Sequence, residues 1–302
     1  MGNLQYYWTV FHVYLIGFMF AVLEFFRDFG RRPLNTGFIR RRLETGGANL
    51  PKRILVTGID GNIGSELRRH LELLDFEIVV PEKADGSPVD LSSLAEVQEA
   101  VNVVAQRFST IGYVICNAGV MLYPEVRTSD GIEYHKAVNA VSHIGLIHGL
   151  IAVGALAHQA RILFVSSATA RAGRLDNAFT MLTHYESGYQ AYADSKLLLC
   201  VAAKEFAKIY PDHTFIAAHP GIVPGPLYRH TNLVFRFLIN NVLVHFVRSP
   251  KVAAGQLLVM LFSASQLKNG AYYEDGEPVG ILDRLDPEAS ENLFNKVINR
   301  CS

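Results

Sequence analysis

The stretch RILVTGIDGNIGSELRRHL, Arg53–Leu71, decides how the chain is read. It runs from a short apolar segment into a helix-like one through Gly58, Gly61 and Gly64. Two readings fit such a turn. It cradles a nucleotide pyrophosphate against a helix N-terminus, or it is a tight strand-to-helix connection that needs glycine on steric grounds alone. Glycine spacing does not choose between them, so the remaining sequence must.

Outward from that turn, short apolar runs alternate with helical patterns. The runs at Arg53–Thr57, Glu77–Val80, Tyr113–Cys116, Arg161–Val165, Thr214–Ala218 and Ala271–Tyr273 read as strands. Ile63–Leu74, Leu94–Phe108, Ile132–His158, Tyr189–Ile209 and Lys251–Ser263 read as helices. This alternation predicts an α/β fold, a doubly wound parallel sheet in three layers. Ligands in such folds bind beyond the carboxyl ends of the strands. Four strand ends here carry small, glycine-rich or hydroxyl residues: the glycine turn, CNAGV (Cys116–Val120), VSSATA (Val165–Ala170) and HPGIVPGP (His219–Pro226). Together they would line one crevice.

The chemistry comes from AYADSKLLL. Tyr192 and Lys196 stand four apart on a strong helical pattern and so share a face. A phenol is a poor acid–base group at neutral pH, and a nearby ammonium stabilises its anion. Tyr192 could then exchange a proton with an alcohol or carbonyl oxygen, which Ser167 could hydrogen-bond. Alone, a tyrosine and lysine at this spacing are usually no more than a helix face.

In chain order, TGIDGNIG, Asp90 in VDLSS, NAG, Asn139 in AVNAVSHIG, Ser167 in VSS, Tyr192 and Lys196 in YADSK, and HPGIV resemble the short-chain dehydrogenase/reductase family over about residues 51–280. The resemblance implies a Rossmann-like fold and a nicotinamide dinucleotide, and so favours the pyrophosphate reading of the opening turn. It makes Tyr192 the general acid–base and Lys196 its partner and a ribose ligand. Ser167 would hold the substrate oxygen, and Asn139 a water that relays protons through Lys196. Gly58, Gly61, Asn62, Ile63 and Gly64 would face the phosphates. Asn117, Ala118 and Gly119 would flank the cofactor, Asp90 would lie near the adenine, and Pro220, Gly221 and Ile222 would lie beside the nicotinamide. NAGVMLYPEVRTSDGIEYH and the 24 residues between Ser167 and Tyr192 resemble the membrane-associated, retinol-dehydrogenase-like subgroup. That implies a lipophilic alcohol or its aldehyde or ketone, of polyprenol/dolichol, retinoid or steroid type. The resemblance also allows a homodimer paired through Ile132–His158 and Tyr189–Ile209.

Three positions depart from the family pattern. Asn62 stands where a middle glycine is usual, and Gly225 where a threonine often meets the nicotinamide amide. The region between the second strand and Asp90, VVPEKADGSPVD, is short: it lacks a helix, and its edge strand is reduced to Ser87–Leu91. Cofactor choice, NAD or NADP, rests on that region. Glu82, 18 residues after Gly64, suits a ribose diol, and Lys83 suits a 2′-phosphate. The reading leans to NAD. The shortened region also motivates a rival: a non-catalytic cofactor- or lipid-binding descendant on a membrane.

YYWTVFHVYLIGFMFAVL, Tyr6–Leu23, holds 18 residues without a formal charge, close to the length that spans a bilayer core. Tyr6, Tyr7 and Trp8 suit an interfacial belt. No basic residue precedes the run, and Arg27, Arg31, Arg32, Arg40, Arg41, Arg42, Lys52 and Arg53 follow it. By the positive-inside bias the flank and all that follows should face the cytoplasm, and the basic flank could lie on anionic headgroups. Endoplasmic reticulum and lipid-droplet membranes both fit one apolar N-terminal helix. The other reading is a buried helix with a solvated linker. Residues 1–26 are thus expected as anchor, 27–50 as basic linker and 51–302 as the catalytic domain. Asn232–Pro250 is apolar where the family carries its lid, and reads as the lining of a substrate tunnel or as a core helix. With 28 basic and 28 acidic residues, no nucleic acid is expected as partner. Cys116, Cys200 and Cys301, widely spaced, suggest neither disulfides nor a metal.

Overall fold

A computed structural model describes residues 2–29, 34–46, 49–108, 110–175, 181–231, 233–263 and 266–301. Arg31, Arg32 and Asn232, expected above in the linker and lid, lie outside the described residues. The chain opens with α1 (Gly2–Asp28) and α2 (Thr36–Thr45). Then β1 (Arg53–Val56), α3 (Asn62–Glu72), β2 (Glu77–Val79), α4 (Leu94–Arg107) and β3 (Ile111–Cys116) alternate. One turn, Tyr134–Lys136, and a π-helical turn, Ala137–Val141, lead into α5 (Ser142–Ala152). The chain continues through β4 (Leu156–Val165), α6 (Gly188–Ile209), β5 (Thr214–His219), α7 (Pro250–Phe262), β6 (Tyr272–Glu274), β7 (Glu277–Val279) and α8 (Pro287–Cys301).

The strands form one sheet in the order β2-β1-β3-β4-β5-β6-β7, parallel except for β7. Strands buried on both faces read as unbroken apolar runs, as β1 and β3 do. Leu55 pairs in register with Val79 and Val114, and Val114 with Ile162. Successive side chains leave on opposite faces. Leu55, Val114 and Phe164 pack under α4, α5, α6 and α8; Ile54, Val56 and Ile115 pack under α2, α3 and α7. The order reverses between β1 and β3, so the crevice opens at the carboxyl ends of those two strands.

Several boundaries differ from the sequence reading. The long helix expected over Ile132–His158 ends at Ala152, where Gly154 turns left-handed at φ +68°, and His158 belongs to β4. No strand forms over Ser87–Leu91. An isolated antiparallel bridge, Glu82 to Pro88, and a turn capped by Asp85 take its place, which leaves β2 at the sheet edge. The helix expected to be absent there is absent. The segment read as a basic linker contains α2, whose N-cap Asn35 accepts from the Phe38 amide and whose Ile39 is buried in the second layer. β7 and α8 were not foreseen. Asp275-Gly276, both left-handed, turn β6 into β7. Phe294 of α8 meets Phe206 edge-on, ring centres 4.9 Å apart.

The largest difference concerns α1. It is the one helix, among the described residues, long and apolar enough to cross a membrane. It also packs on the catalytic body: Val13, Ile16 and Phe20 are buried with Ala168, Ala172 and Ala193.

Candidate active site

The glycine turn is shaped by close approach. Gly58 has φ +65°, and a Cβ there would come within 2.8 Å of the Ala118 Cα. A Cβ on Gly64 would lie 2.2 Å from the Gly58 carbonyl oxygen. Gly61 is the N-cap of α3 and offers no side chain to its first amides, so these donors face the crevice as an anion site. Asn62, in the middle-glycine place, donates through Nδ2 to the Pro224 carbonyl at 2.9 Å and ties the turn to the loop after β5.

A buried hub beneath the turn escaped the sequence reading. Thr57 Oγ1 accepts from the Asn117 amide at 2.9 Å and the Ala118 amide at 3.0 Å, and lies 3.0 Å from His143 Nε2. With both amides donating, the threonine hydroxyl proton goes to Nε2, and Nδ1–H of His143 donates to the Asn139 carbonyl at 3.0 Å. Burial pulls the His143 imidazole down to about 4, so the ring is neutral, as the hub requires. In sequence His143 looked like one more residue of an apolar helix. Asn117 Nδ2 adds bonds to the carbonyls of Thr57 and Gly58.

Tyr192 and Lys196 project from α6, whose N-cap Ser187 accepts through its hydroxyl from the Gln190 amide. Both are buried, and the Lys196 Nζ lies 5.7 Å from the Tyr192 ring centre while donating to the Val165 carbonyl at 2.8 Å. Ser167 follows β4, where Thr169 donates to its hydroxyl at 2.9 Å. Burial pushes the Tyr192 phenol up to about 12, against a hydrogen bond with Ser167 that lowers it. Burial also pulls the Lys196 ammonium down to about 8. The phenol is therefore protonated at neutral pH, poised to give its proton to a carbonyl oxygen. Asn139 sits in the π-helical turn, fully buried. Its Oδ1 accepts from the Val120 amide at 2.7 Å, and its Nδ2 donates to the Val120 carbonyl and to Ser195 Oγ, both at 2.9 Å. Its visible work is to pin the end of the NAG segment against α6.

A chamber of about 900 Å³ joins these parts. Gly58, Gly61–Ile63, Asn117–Gly119, Ser167, Tyr192, Lys196 and Pro220–Ile222 all line it. Gly64 lies just under the turn, and Asn139 behind Gly119. Glu82, Lys83 and Asp90 are not brought to it. Glu82 pairs with Arg107 and Lys83 with Glu96 on α4, while Asp90 caps the Ser92 amide at 2.8 Å. Residues of α1, among them Tyr14, Gly17, Phe18 and Phe25, and of the segment after β5, among them Leu243 and Phe246, complete the wall. That segment contains 3₁₀ turns at Pro226–Tyr228 and Leu243–His245, with a short helix, Leu233–Phe237, and a π turn, Leu238–Val242, between them.

A glycine cradle at a helix N-terminus, joined by one cavity to a phenol, hydroxyl and ammonium cluster, fits a dinucleotide and the carbon it reduces. The family model for short chain dehydrogenases matches residues 52–231. The chain belongs to the short-chain dehydrogenase family. This short-chain dehydrogenase is 32% identical over 282 residues to polyprenol dehydrogenase of Mus musculus, with 81% of this chain and 82% of the relative covered. It is 27% identical over 269 residues to retinol dehydrogenase 12 of Homo sapiens, covering 81% and 84%. Among solved structures, the 3-alpha-hydroxysteroid dehydrogenase of Pseudomonas sp. B-0831 complexed with NADH superposes with TM-score 0.59 at 21% identity, over 74% of this chain and 96% of that one. A short chain dehydrogenase of Burkholderia cenocepacia in complex with NADP gives TM-score 0.58 at 18% identity, over 75% and 97%. These structural likenesses report the fold. The short-chain dehydrogenase is an oxidoreductase of the alcohol dehydrogenase and carbonyl reductase type, and its cofactor is a nicotinamide dinucleotide.

Proposed function

We propose that this enzyme interconverts a long lipophilic alcohol and its aldehyde or ketone at a membrane surface. The observation that carries the proposal is the single apolar chamber that ends on Ser167, Tyr192 and Lys196. Tyr192 gives its proton to the carbonyl oxygen during reduction and takes it back during oxidation. Ser167 holds that oxygen, and Lys196 stabilises the phenolate and meets the nicotinamide ribose. Asn139 keeps the strand end beside Lys196 in place. The bound dinucleotide supplies or accepts the hydride. Gly58, Gly61, Asn62, Ile63 and Gly64 hold its phosphates, Asn117, Ala118 and Gly119 flank it, and Pro220, Gly221 and Ile222 border the nicotinamide, with Asp90 on the adenine side.

We take NAD over NADP. Glu82 follows β2, and the cations nearest to it, Arg107 and Lys83, are each paired with a carboxylate, which disfavours a 2′-phosphate. The polyprenol and retinol relatives support an isoprenoid alcohol. Residues 51–302 carry the reaction and 1–26 the membrane contact. The catalytic body faces the cytoplasm on endoplasmic reticulum or lipid droplets, and a homodimer through α5 and α6 is part of the proposal.

The test is a fluorescence titration of the detergent-purified full chain with NADH and NADPH, followed by turnover of polyprenol, retinoid and steroid alcohols. Tighter NADH binding and turnover that Tyr192→Phe abolishes, with NADH binding kept, are expected. Full activity in Tyr192→Phe refutes the mechanism. Binding without turnover of any substrate favours the non-catalytic reading.

A further inference from the structure

The N-terminal helix was expected to stand apart from the catalytic body. Instead it is fastened to that body along its whole length. Gln5 and Thr9 hydrogen-bond Glu186, at 3.2 Å each, and the Tyr14 hydroxyl lies 2.9 Å from that of Tyr189. Glu24 is fully buried: its Oε1 lies 3.0 Å from His219 Nε2, and its Oε2 accepts from the Ile222 amide at 2.8 Å. At the helix end Asp28 pairs at 2.9 Å with Arg248, a buried guanidinium that also meets Asp275 at 2.6 Å. Twenty-seven residues of helix measure about 40 Å. A helix that crossed the roughly 30 Å hydrocarbon layer would carry Tyr14 and Thr9 far from partners fixed on the body. Glu24 would also be costly within lipid without its partners.

The opposite face of the same helix is exposed among the described residues. Leu4, Tyr7, Trp8, Phe11, Leu15 and Phe18 are exposed, with Trp8 at 65%. They fall together at helical spacing. Between the two faces, Gly17, Ala21 and Phe25 border the chamber, and Phe25 meets Phe246 of the segment after β5, ring centres 5.5 Å apart. Phe237, Leu243 and Phe246 continue the exposed apolar surface across the chamber mouth. Arg229 and Arg236 lie on that segment, and Arg40, Arg41 and Arg42 follow the helix, cations suited to anionic headgroups.

We infer that α1 does not cross the bilayer. It lies flat in the lipid interface as one wall of the substrate chamber, and substrate passes from the bilayer into the site between α1 and the segment after β5. This rests on the lipophilic-substrate reading above for what passes, but not for how the helix lies.

Trp8 is the only tryptophan in the chain, so its fluorescence reports the outer face directly. The full-length protein is reconstituted into vesicles of phosphatidylcholine and phosphatidylserine carrying doxyl quenchers at two depths. Phe18→Trp and Phe26→Trp, each combined with Trp8→Phe, are measured alongside. A flat helix puts all three indoles at one shallow depth, about 5–10 Å below the headgroups. Deepest quenching at position 18, with positions 8 and 26 shallow, means a crossing helix and overturns the proposal. No blue shift and no quenching at any position also overturns it, and assigns the exposed face to a second copy or to solvent. Gly17→Leu tests the wall, because a Cβ at Gly17 meets nothing within 4 Å. It should raise KM for a long isoprenoid alcohol about tenfold and leave NADH affinity unchanged. An unchanged KM removes α1 from the substrate path. If no alcohol is turned over by the parent enzyme, the substrate reading fails while the depth profile still decides how α1 lies.

Discussion

Thr57→Val removes one hydroxyl and almost no volume, yet it empties the hub beneath the nucleotide turn. Three groups lose their partner: the amides of Asn117 and Ala118, and Nε2 of His143. The two amides lie at the edge of the chamber, where water can replace part of what is lost. His143 is fully buried and cannot be reached. Leaving a buried polar group unpaired costs about 1–3 kcal/mol, so one full penalty and two partial ones come to about 3 kcal/mol. For a domain of this size that corresponds to a Tm lower by about 6–12 °C. The amides also set the end of β3 against Gly58, so NADH should bind more weakly as well. Thermal unfolding of the full chain, with and without NADH, reads both effects. Thr57→Ser keeps the hydroxyl and should lose far less of either. A Thr57→Val protein that melts within a degree or two of wild type, with unchanged NADH affinity, would refute the hub as a structural element.

Other outcomes follow from the same geometry. Burial holds His143 far below the usual imidazole range, so its contribution to stability is complete above about pH 6.5 and is lost as the pH falls through about 4. Tm measured from pH 7 to pH 4 should fall less steeply in His143→Gln than in wild type; equal slopes would show that the ring is not buried neutral. Gly225 has φ +147°, and a Cβ there would lie 2.3 Å from Asn62 Nδ2. Gly225→Thr should therefore lower Tm and weaken NADH binding, and Asn62→Gly in the same chain should restore part of both. Failure of Asn62→Gly to help would mean that backbone strain alone sets the cost.

The parts of the fold that were legible are those governed by local pattern. β1 and β3 are unbroken apolar runs because both faces of the sheet are covered, and α3 and α4 show a clean helical period. The ligand crevice was legible for the same reason: strand ends carry their glycines and hydroxyls in sequence. What escaped depends on contacts distant in the chain. His143 sits in an apolar stretch, and only the fold sets it under Thr57, 86 residues away. Glu82 and Lys83 read as ribose or phosphate ligands, and nothing local in the sequence showed that they also pair with Arg107 and Glu96 of α4. α2 hid within a run of arginines, although Asn35 marked its start. α8 carried Leu293, Phe294 and Val297 at helical spacing after Pro287, a signal that was present and not used. The roles of Thr9 and Glu24 in α1 were not legible, because their partners lie more than 170 residues on.

The fastening of α1 bears on how this enzyme can be handled. Apolar leaders are commonly cut away to obtain soluble protein. Here a cut after Asp28 would strip Arg248 of one of its two carboxylates and leave the Ile222 amide and His219 facing solvent where Glu24 had been. The loop from His219 to Ile222 lines the chamber beside Tyr192, so a shortened chain would keep its sheet and its tyrosine while losing part of the wall around them. Low activity in such a preparation would describe the cut and not the enzyme.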